Sequence, residues 1–107
     1  ERWRKPFEEL LKKSRNSTPN KLFYLCYLEI CPPTIKETLK DLISTHPKIS
    51  KIIIHPIFLS AGVHVNNDIN NIVTNLKTIY PNINFTLNDV VGENINVSNA
   101  ILKLITS

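Results

Sequence analysis

The residues best suited to chemistry lie together in segment 56–69, which reads Pro-Ile-Phe-Leu-Ser-Ala-Gly-Val-His-Val-Asn-Asn-Asp-Ile. Its histidine, His64, carries an imidazole that binds borderline divalent cations or accepts a proton when it is neutral. Gly62 stands two residues earlier and permits a tight or left-handed backbone. A single histidine is more often a surface or structural residue than a functional one, so the flanking residues decide its interpretation.

Other polar residues could assist His64. Glu29 ends an apolar run, where it could accept a proton or help to bind a metal. Equally, its carboxylate could accept hydrogen bonds from the amino terminus of a nearby helix and have no functional role. Asp68 could hydrogen-bond the imidazole of His64 or cap a helix. We predict that His55 is structural and that His46 complements a helix dipole.

The elements that position these residues alternate between helical patterns and short apolar runs. We predict three strands, at residues 22–30, within 51–59 and at 83–87. We predict four helices: from residue 3 to about 14–16, at 35–45, from a cap at 66 or 67 to about 79, and at 97–105. The order α-β-α-β-α-β-α predicts a parallel sheet with helices on both faces. Ligands bind beyond the carboxyl ends of such strands, so the loops after Ile30, Leu59 and Leu87 should converge.

Each predicted helix carries an apolar stripe with helical spacing, which we expect to be buried. The stripes are Trp3, Phe7, Leu10 and Leu11, then Ile35, Leu39, Leu42 and Ile43, then Ile69, Ile72, Val73, Leu76 and Ile79, and last Val97, Ala100, Ile101, Leu104 and Ile105.

Composition limits the class of protein. A chain of 107 residues accommodates one domain, and no apolar run is long enough for a membrane helix, so we expect a single cytoplasmic domain with no membrane partner. The net charge of +4 favours an anionic partner, but the basic residues lack the aromatic interleaving that nucleic-acid binding requires. Cys26 and Cys31 lack metal or thioredoxin spacing and are predicted to be reduced thiols.

Segment 56–69 resembles the signature of the small sirohydrochlorin chelatases, the cobalt and iron chelatases of tetrapyrrole synthesis. In that family a Pro-x-Phe-Leu strand end leads to Gly-x-His and then to Asp-Ile. The resemblance extends over essentially the whole chain. Arg2, Trp3 and Phe7 resemble the stretch that follows the family's opening His-Gly-Ser motif. The family's Glu-Leu-x-x-Pro-Ser-Ile segment is similar to Leu28, Glu29, Pro33, Thr34 and Ile35. Gly92 resembles the glycine of the family's last loop.

The sequence departs from the family's pattern in three places. The opening His-Gly-Ser and its strand are not among these residues, so we expect residues 1–107 to be an amino-terminally truncated chelatase domain. Asn94 stands where many members have a histidine, and Asn70 replaces a common proline.

The resemblance implies a flavodoxin-like, chelatase-like α/β fold, a three-layer sandwich with a parallel sheet whose first strand is missing from these residues. It implies a lyase that inserts cobalt into sirohydrochlorin for cobalamin synthesis, with a ferrochelatase of siroheme synthesis or a nickel chelatase as alternatives. His64 is the implied metal ligand and, with Glu29, a catalytic residue. The implied substrate contacts are Phe58, Leu59, Ser60, Ala61, Gly62, Val63 and Gly92.

The implied partners are sirohydrochlorin, a divalent metal that is a substrate rather than a permanent cofactor, and a second copy of the chain. A homodimer is expected because one short chain supplies about half of the cleft of a two-domain chelatase. Phe58, Leu59, Ala61 and Val63 are candidates for both dimer contact and macrocycle packing. The alternative from another class is a non-catalytic flavodoxin-like binding domain, in which His64 and Gly62 only shape a loop.

Overall fold

The computed structural model of the protein describes residues 2–28 and 31–107. It contains two compact units, Glu1–Lys48 and Ile49–Ser107. The main elements in chain order are α1 (Lys5–Ser17), α2 (Ile35–Thr45), β1 (Lys51–Ile54), α3 (Val63–Ile79), β2 (Asn84–Leu87) and α4 (Ile95–Thr106). Short 3-10 turns at Arg2–Arg4 and Val91–Glu93 precede α1 and α4.

In the first unit, side chains of α1 and of the turn before it hold the segment that follows the helix. Pro6 lies at the start of α1, where its missing N–H costs no hydrogen bond. Trp3 meets Tyr27 edge to face, with ring centroids 5.4 Å apart. Arg15 donates from Nε and Nη2 to the carbonyl oxygen of Phe23, at 3.1 and 2.6 Å.

The strand predicted at residues 22–30 is wrong over the part that the structure describes. Residues 22–28 form one isolated parallel bridge, between Tyr27 and Thr34, with the Tyr27 N–H donating to the Pro33 carbonyl at 2.9 Å. The Phe23 carbonyl, which a ladder would use, instead accepts hydrogen bonds from Arg15. An apolar run becomes a strand only where another strand pairs with it, and the pattern of one run cannot specify that partner.

Helix α2 occupies Ile35–Thr45, as predicted, because a capping box fixes its start. The Glu37 N–H donates to Thr34 Oγ1 at 3.2 Å, and the Thr34 N–H donates to Glu37 Oε1 at 2.9 Å. Hydrogen bonds to the Glu37 carboxylate from the Thr34 backbone, and secondly from the Thr34 side chain, hold the pKa of Glu37 below its ordinary value. The box is therefore intact at neutral pH and weakens as the pH falls through that lowered pKa.

The two cysteines are free thiols, as predicted, and both are half-buried. Burial raises the pKa of Cys26, so this thiol stays protonated at neutral pH.

The second unit contains a β-α-β arrangement with two parallel strands, which confirms the predicted α/β class. Strands β1 and β2 pair in parallel over four residues, from Lys51 opposite Asn84 to Ile54 opposite Leu87. The strand within 51–59 ends before Pro56, as expected for a residue that has no N–H to donate.

Helix α3 packs against β2 and supplies most of the core of this unit. Ile69, Val73 and Leu76 on α3 are buried, as the predicted stripe requires, and Phe85 is the buried residue of β2. Leu76 retains only 1% of its accessible surface. Ile79, at the end of the same stripe, is exposed.

The stripe predicted to be buried on α4 is exposed instead, apart from the half-buried Val97. Leu104, for example, retains 76% of its accessible surface, because α4 contacts only the Val91–Glu93 turn among the described elements. The prediction of burial is also wrong for Trp3 and Leu10, two members of the first stripe, which are exposed. Periodicity predicts an apolar face but not a surface to cover it. Even so, no helix within residues 2–28 and 31–107 has the length and hydropathy that crossing a bilayer requires.

We expect Leu76→Ala to lower the free energy of unfolding by about 2–5 kcal/mol, because it leaves a cavity between α3 and β2. Urea denaturation measures this loss. The matched control is Leu104→Ala, the same change at an exposed position, which should alter stability by less than about 0.5 kcal/mol. Equal losses in the two variants would contradict this account of the core.

Candidate functional site at the carboxyl ends of the strands

Two loops meet beyond the carboxyl ends of β1 and β2. Three backbone hydrogen bonds extend the strand pairing into them: the N–H groups of Asn88, Val91 and Gly92 donate to the carbonyls of Ile54, Pro56 and Phe58, at 3.0, 3.1 and 3.0 Å. The loops after Leu59 and Leu87 therefore converge, as predicted. The third loop of that prediction follows Ile30, which lies outside the described residues.

Gly92 lies directly against the loop after β1. A Cβ atom added at Gly92 would overlap the carbonyl of Leu59 and would stand 2.5 Å from its Cα. Real Cβ atoms do not approach backbone so closely, so only glycine fits here without moving one of the loops. Gly92 is a predicted substrate contact. In the structure its lack of a side chain lets the segment with Phe58 and Leu59 pack directly against it.

Gly62 does not adopt the left-handed backbone that a glycine permits. Its φ of −70° and ψ of 173° are extended values that any residue adopts, and an added Cβ would meet nothing within 4 Å. Gly62 is the N-cap of α3, and its carbonyl accepts the N–H of Asn66 at 3.0 Å. Glycine is a moderately favoured N-cap residue, although it offers no side-chain acceptor.

Helix α3 begins at Val63, several residues before the predicted caps at Asn66 and Asn67. His64 therefore lies in the first helical turn and not in a loop. The amide of Asn66 donates from Nδ2 to the Ala61 carbonyl at 3.3 Å, so this residue stabilises the start of the helix from within. The imidazole of His64 is 90% exposed.

Asp68 follows His64 by one turn on the same face of α3. The distance from His64 Nε2 to Asp68 Oδ2 is 3.5 Å, and the Asp68 side chain is 39% exposed. Asp68 lies beyond the first turn of the helix, so it does not cap α3. Asp68 therefore lies beside the imidazole of His64, at a distance longer than that of an ordinary N–H···O hydrogen bond.

Apolar side chains precede His64 along the loop. Leu59 and Val63 are 69% and 78% exposed, whereas Phe58 and Ala61 are half-buried and Ser60 is exposed. Exposed apolar side chains next to the exposed imidazole of His64 provide a surface on which a flat ring can pack. The sequence-predicted residues 58–64 thus form one continuous segment, supported by Gly92.

His55 lies at the same strand ends and is exposed, not buried. Asn88 Nδ2 and His55 Nδ1 are 3.1 Å apart and share a hydrogen bond. His55 is therefore a surface bridge between the residues that follow β1 and β2. Sequence analysis did not predict Asn88 as its partner, because the pairing depends on the strand register.

Asn94, one of the predicted departures from the family's pattern, caps a helix in this chain. Its Oδ1 accepts the N–H of Asn96 at 2.8 Å and so caps α4, which begins two residues before the predicted Val97. An asparagine before an apolar helical pattern is a recognisable start signal that the sequence analysis missed.

Few side chains of the types that bind metals lie near the carboxyl ends of the strands in the described part of the chain. No group of three or more histidine, cysteine, aspartate or glutamate side chains within residues 2–28 and 31–107 could hold a metal ion. His64 and Asp68 are the paired candidates, and the predicted catalytic residue Glu29 lies outside the described residues.

The fold belongs to the chelatase-like α/β class. A crystal structure from Marinobacter aquaeolei VT8, described as a cobalamin (vitamin B12) biosynthesis CbiX protein, matches with a TM-score of 0.78 and 22% sequence identity. The match covers 98% of this chain and 81% of that chain. No curated protein matches the sequence.

The model of the CbiX family matches residues 1–107, and the chain belongs to that family. This membership confirms the resemblance to the sirohydrochlorin chelatases and supports an enzyme that inserts a divalent metal into a tetrapyrrole.

We expect Gly92→Ser to lower the free energy of unfolding by about 1–3 kcal/mol or more, because its Cβ would displace the backbone at Leu59. The matched control is Gly62→Ser, which enters open space and adds a side-chain cap, so its stability should change by no more than a few tenths of a kcal/mol. Urea denaturation compares the two variants. A Gly92→Ser variant as stable as Gly62→Ser would show that the two loops do not press together.

Proposed function

We propose that the protein inserts cobalt into sirohydrochlorin and that His64 takes part in the reaction, as a ligand of the incoming metal or as a proton acceptor. The observation that carries this proposal is the position of His64. Its exposed imidazole stands in the first turn of α3, beyond the carboxyl ends of the strands and after the exposed apolar side chains of Leu59 and Val63. Membership in a family of chelatases supports the reaction class.

Metal insertion requires three events at one place. The hydrated cation loses water, two pyrrolic protons leave the macrocycle, and the metal forms bonds to the ring nitrogens. The neutral imidazole of His64 has a lone pair that replaces a lost water on the metal or accepts one of the two protons. Leu59 and Val63 supply apolar surface for a face of the ring, and Gly92 holds their loop in place.

Glu29 is the proposed second proton acceptor, on the basis of the sequence alone. A carboxylate is a base that can receive a pyrrolic proton. If Glu29 has this role, Glu29→Gln lowers the turnover rate even when the metal is saturating.

The identity of the metal is the finer part of the proposal. An imidazole suits iron, cobalt and nickel alike, so His64 by itself does not select among them. Cobalt is proposed first, with iron and nickel insertion as the alternatives. We propose no resident cofactor, because the metal is consumed as substrate. A homodimer joined through the exposed apolar loop residues is part of the same proposal.

We expect His64→Ala to reduce the rate of sirohydrochlorin metallation by about 100-fold or more, the range for loss of a positioned acid or base. The measurement follows the optical change of the tetrapyrrole after cobalt addition, corrected for the uncatalysed rate. Folding should be unchanged because the side chain is 90% exposed. His46→Ala, at the end of α2, is the control and should retain full activity, since its capping bond uses the backbone.

Full activity of His64→Ala at low metal concentration would exclude His64 from the reaction. An absence of acceleration by the wild-type protein with cobalt, iron and nickel would overturn the proposed function itself.

The dependence on metal concentration separates the two possible tasks of His64. If the imidazole binds the metal, a higher cobalt concentration should partly restore the rate of His64→Ala. If it accepts a proton, the loss should persist at saturating cobalt. The initial rate measured over a cobalt titration, for wild type and variant in parallel, distinguishes these results.

A further inference from the structure

We propose that Asp68 binds the divalent metal together with His64, so that one face of α3 carries a two-donor chelate for the incoming ion. Its use in catalysis rests on the proposed function, whereas the binding itself can be measured without it. The proposal assigns to Asp68 a direct bond to the metal, in place of a surface ion pair.

The separation of the two donor atoms is the first argument. His64 Nε2 and Asp68 Oδ2 are 3.5 Å apart, which is longer than the roughly 2.7–3.2 Å of an N–H···O hydrogen bond. Two ligands at about 2.1 Å from one metal are separated by about 3.0 Å at a right angle and about 3.4 Å at the tetrahedral angle. The observed distance is therefore close to that of two ligands sharing one ion.

The placement on the helix is the second argument. Residues four apart lie one above the other on an α-helix, and metal sites use this spacing because the backbone fixes the distance between the donors. Ile69, next to Asp68, is buried and anchors that turn in the core. The donors themselves remain accessible, with side chains 90% and 39% exposed.

The surroundings leave the Asp68 carboxylate available. Among the described residues its one ionic partner is His64. With no third metal-binding side chain in the described part of the chain, an ion held by this pair completes its coordination with water. Weak, partly hydrated binding suits an ion that must be passed on to a tetrapyrrole. The nitrogen and oxygen donors favour cobalt, nickel or iron over magnesium.

The test measures Co²⁺ binding to the purified protein by calorimetry and by visible absorption, with no tetrapyrrole present. Asp68→Asn keeps the size of the side chain but removes its charge, and should weaken Co²⁺ binding by at least about tenfold. Asp41→Asn makes the same change on the exposed face of α2 and should have no effect. Unchanged affinity in Asp68→Asn would overturn the proposal.

Asp68→His separates a metal ligand from a hydrogen-bond partner. A histidine four residues after His64 supplies another nitrogen donor at the helical spacing known from metal sites, so Co²⁺ affinity should be retained or increased. If both Asp68→Asn and Asp68→His bind Co²⁺ as weakly as His64→Ala, Asp68 does not act as a ligand and the chelate is excluded.

Parallel assays of sirohydrochlorin metallation keep this proposal distinct from the proposed function. Co²⁺ binding that depends on Asp68, without any metallation, would support the chelate and overturn the function. Metallation that is equally fast in wild type and Asp68→Asn at low cobalt concentration would support the function and overturn the chelate.

Discussion

The candidate site depends on backbone hydrogen bonding that continues past the ends of the two parallel strands. The ladder of β1 and β2 covers only four residue pairs, yet the N–H groups of Asn88, Val91 and Gly92 extend it to the carbonyls of Ile54, Pro56 and Phe58. These bonds join backbone groups of the two loops, so they place the loop before α3 relative to the loop after β2. The exposed side chains of Leu59 and Val63, which we propose as substrate contacts, depend on that placement.

The sequence predicted the parts of the fold in which local signals and burial agree. Helix α2 has both a capping box and an apolar stripe, and α3 packs its predicted stripe on β2. The segment with His64 was found because a specific pattern of residue types surrounds it. The segment at residues 22–28 and the exposed face of α4 were mispredicted for a common reason: an apolar pattern predicts burial, but the partner surface is not encoded in the segment itself.

The start of α3 shows a different limit of sequence reasoning. Asn66 and Asn67 are better N-cap residues than glycine by side-chain chemistry, so propensity favours a later start. In the structure the helix extends back to Val63, and Asn66 donates to the Ala61 carbonyl from inside the first turn. The additional turn of helix at this end brings His64 to within 3.5 Å of Asp68, a relation that a loop conformation for His64 would not provide.

The hydrogen bond from the Gly92 amide to the Phe58 carbonyl makes a single backbone proton sensitive to the state of the loop. While the loop is seated, that amide is protected from exchange with solvent. When the loop with Phe58 moves away, the Gly92 amide loses its hydrogen bond and exchanges with solvent, even though Gly92 is distant from Phe58 in sequence. Hydrogen-exchange spectroscopy at this one glycine would therefore report how often the loop opens, with no label on the protein or the macrocycle.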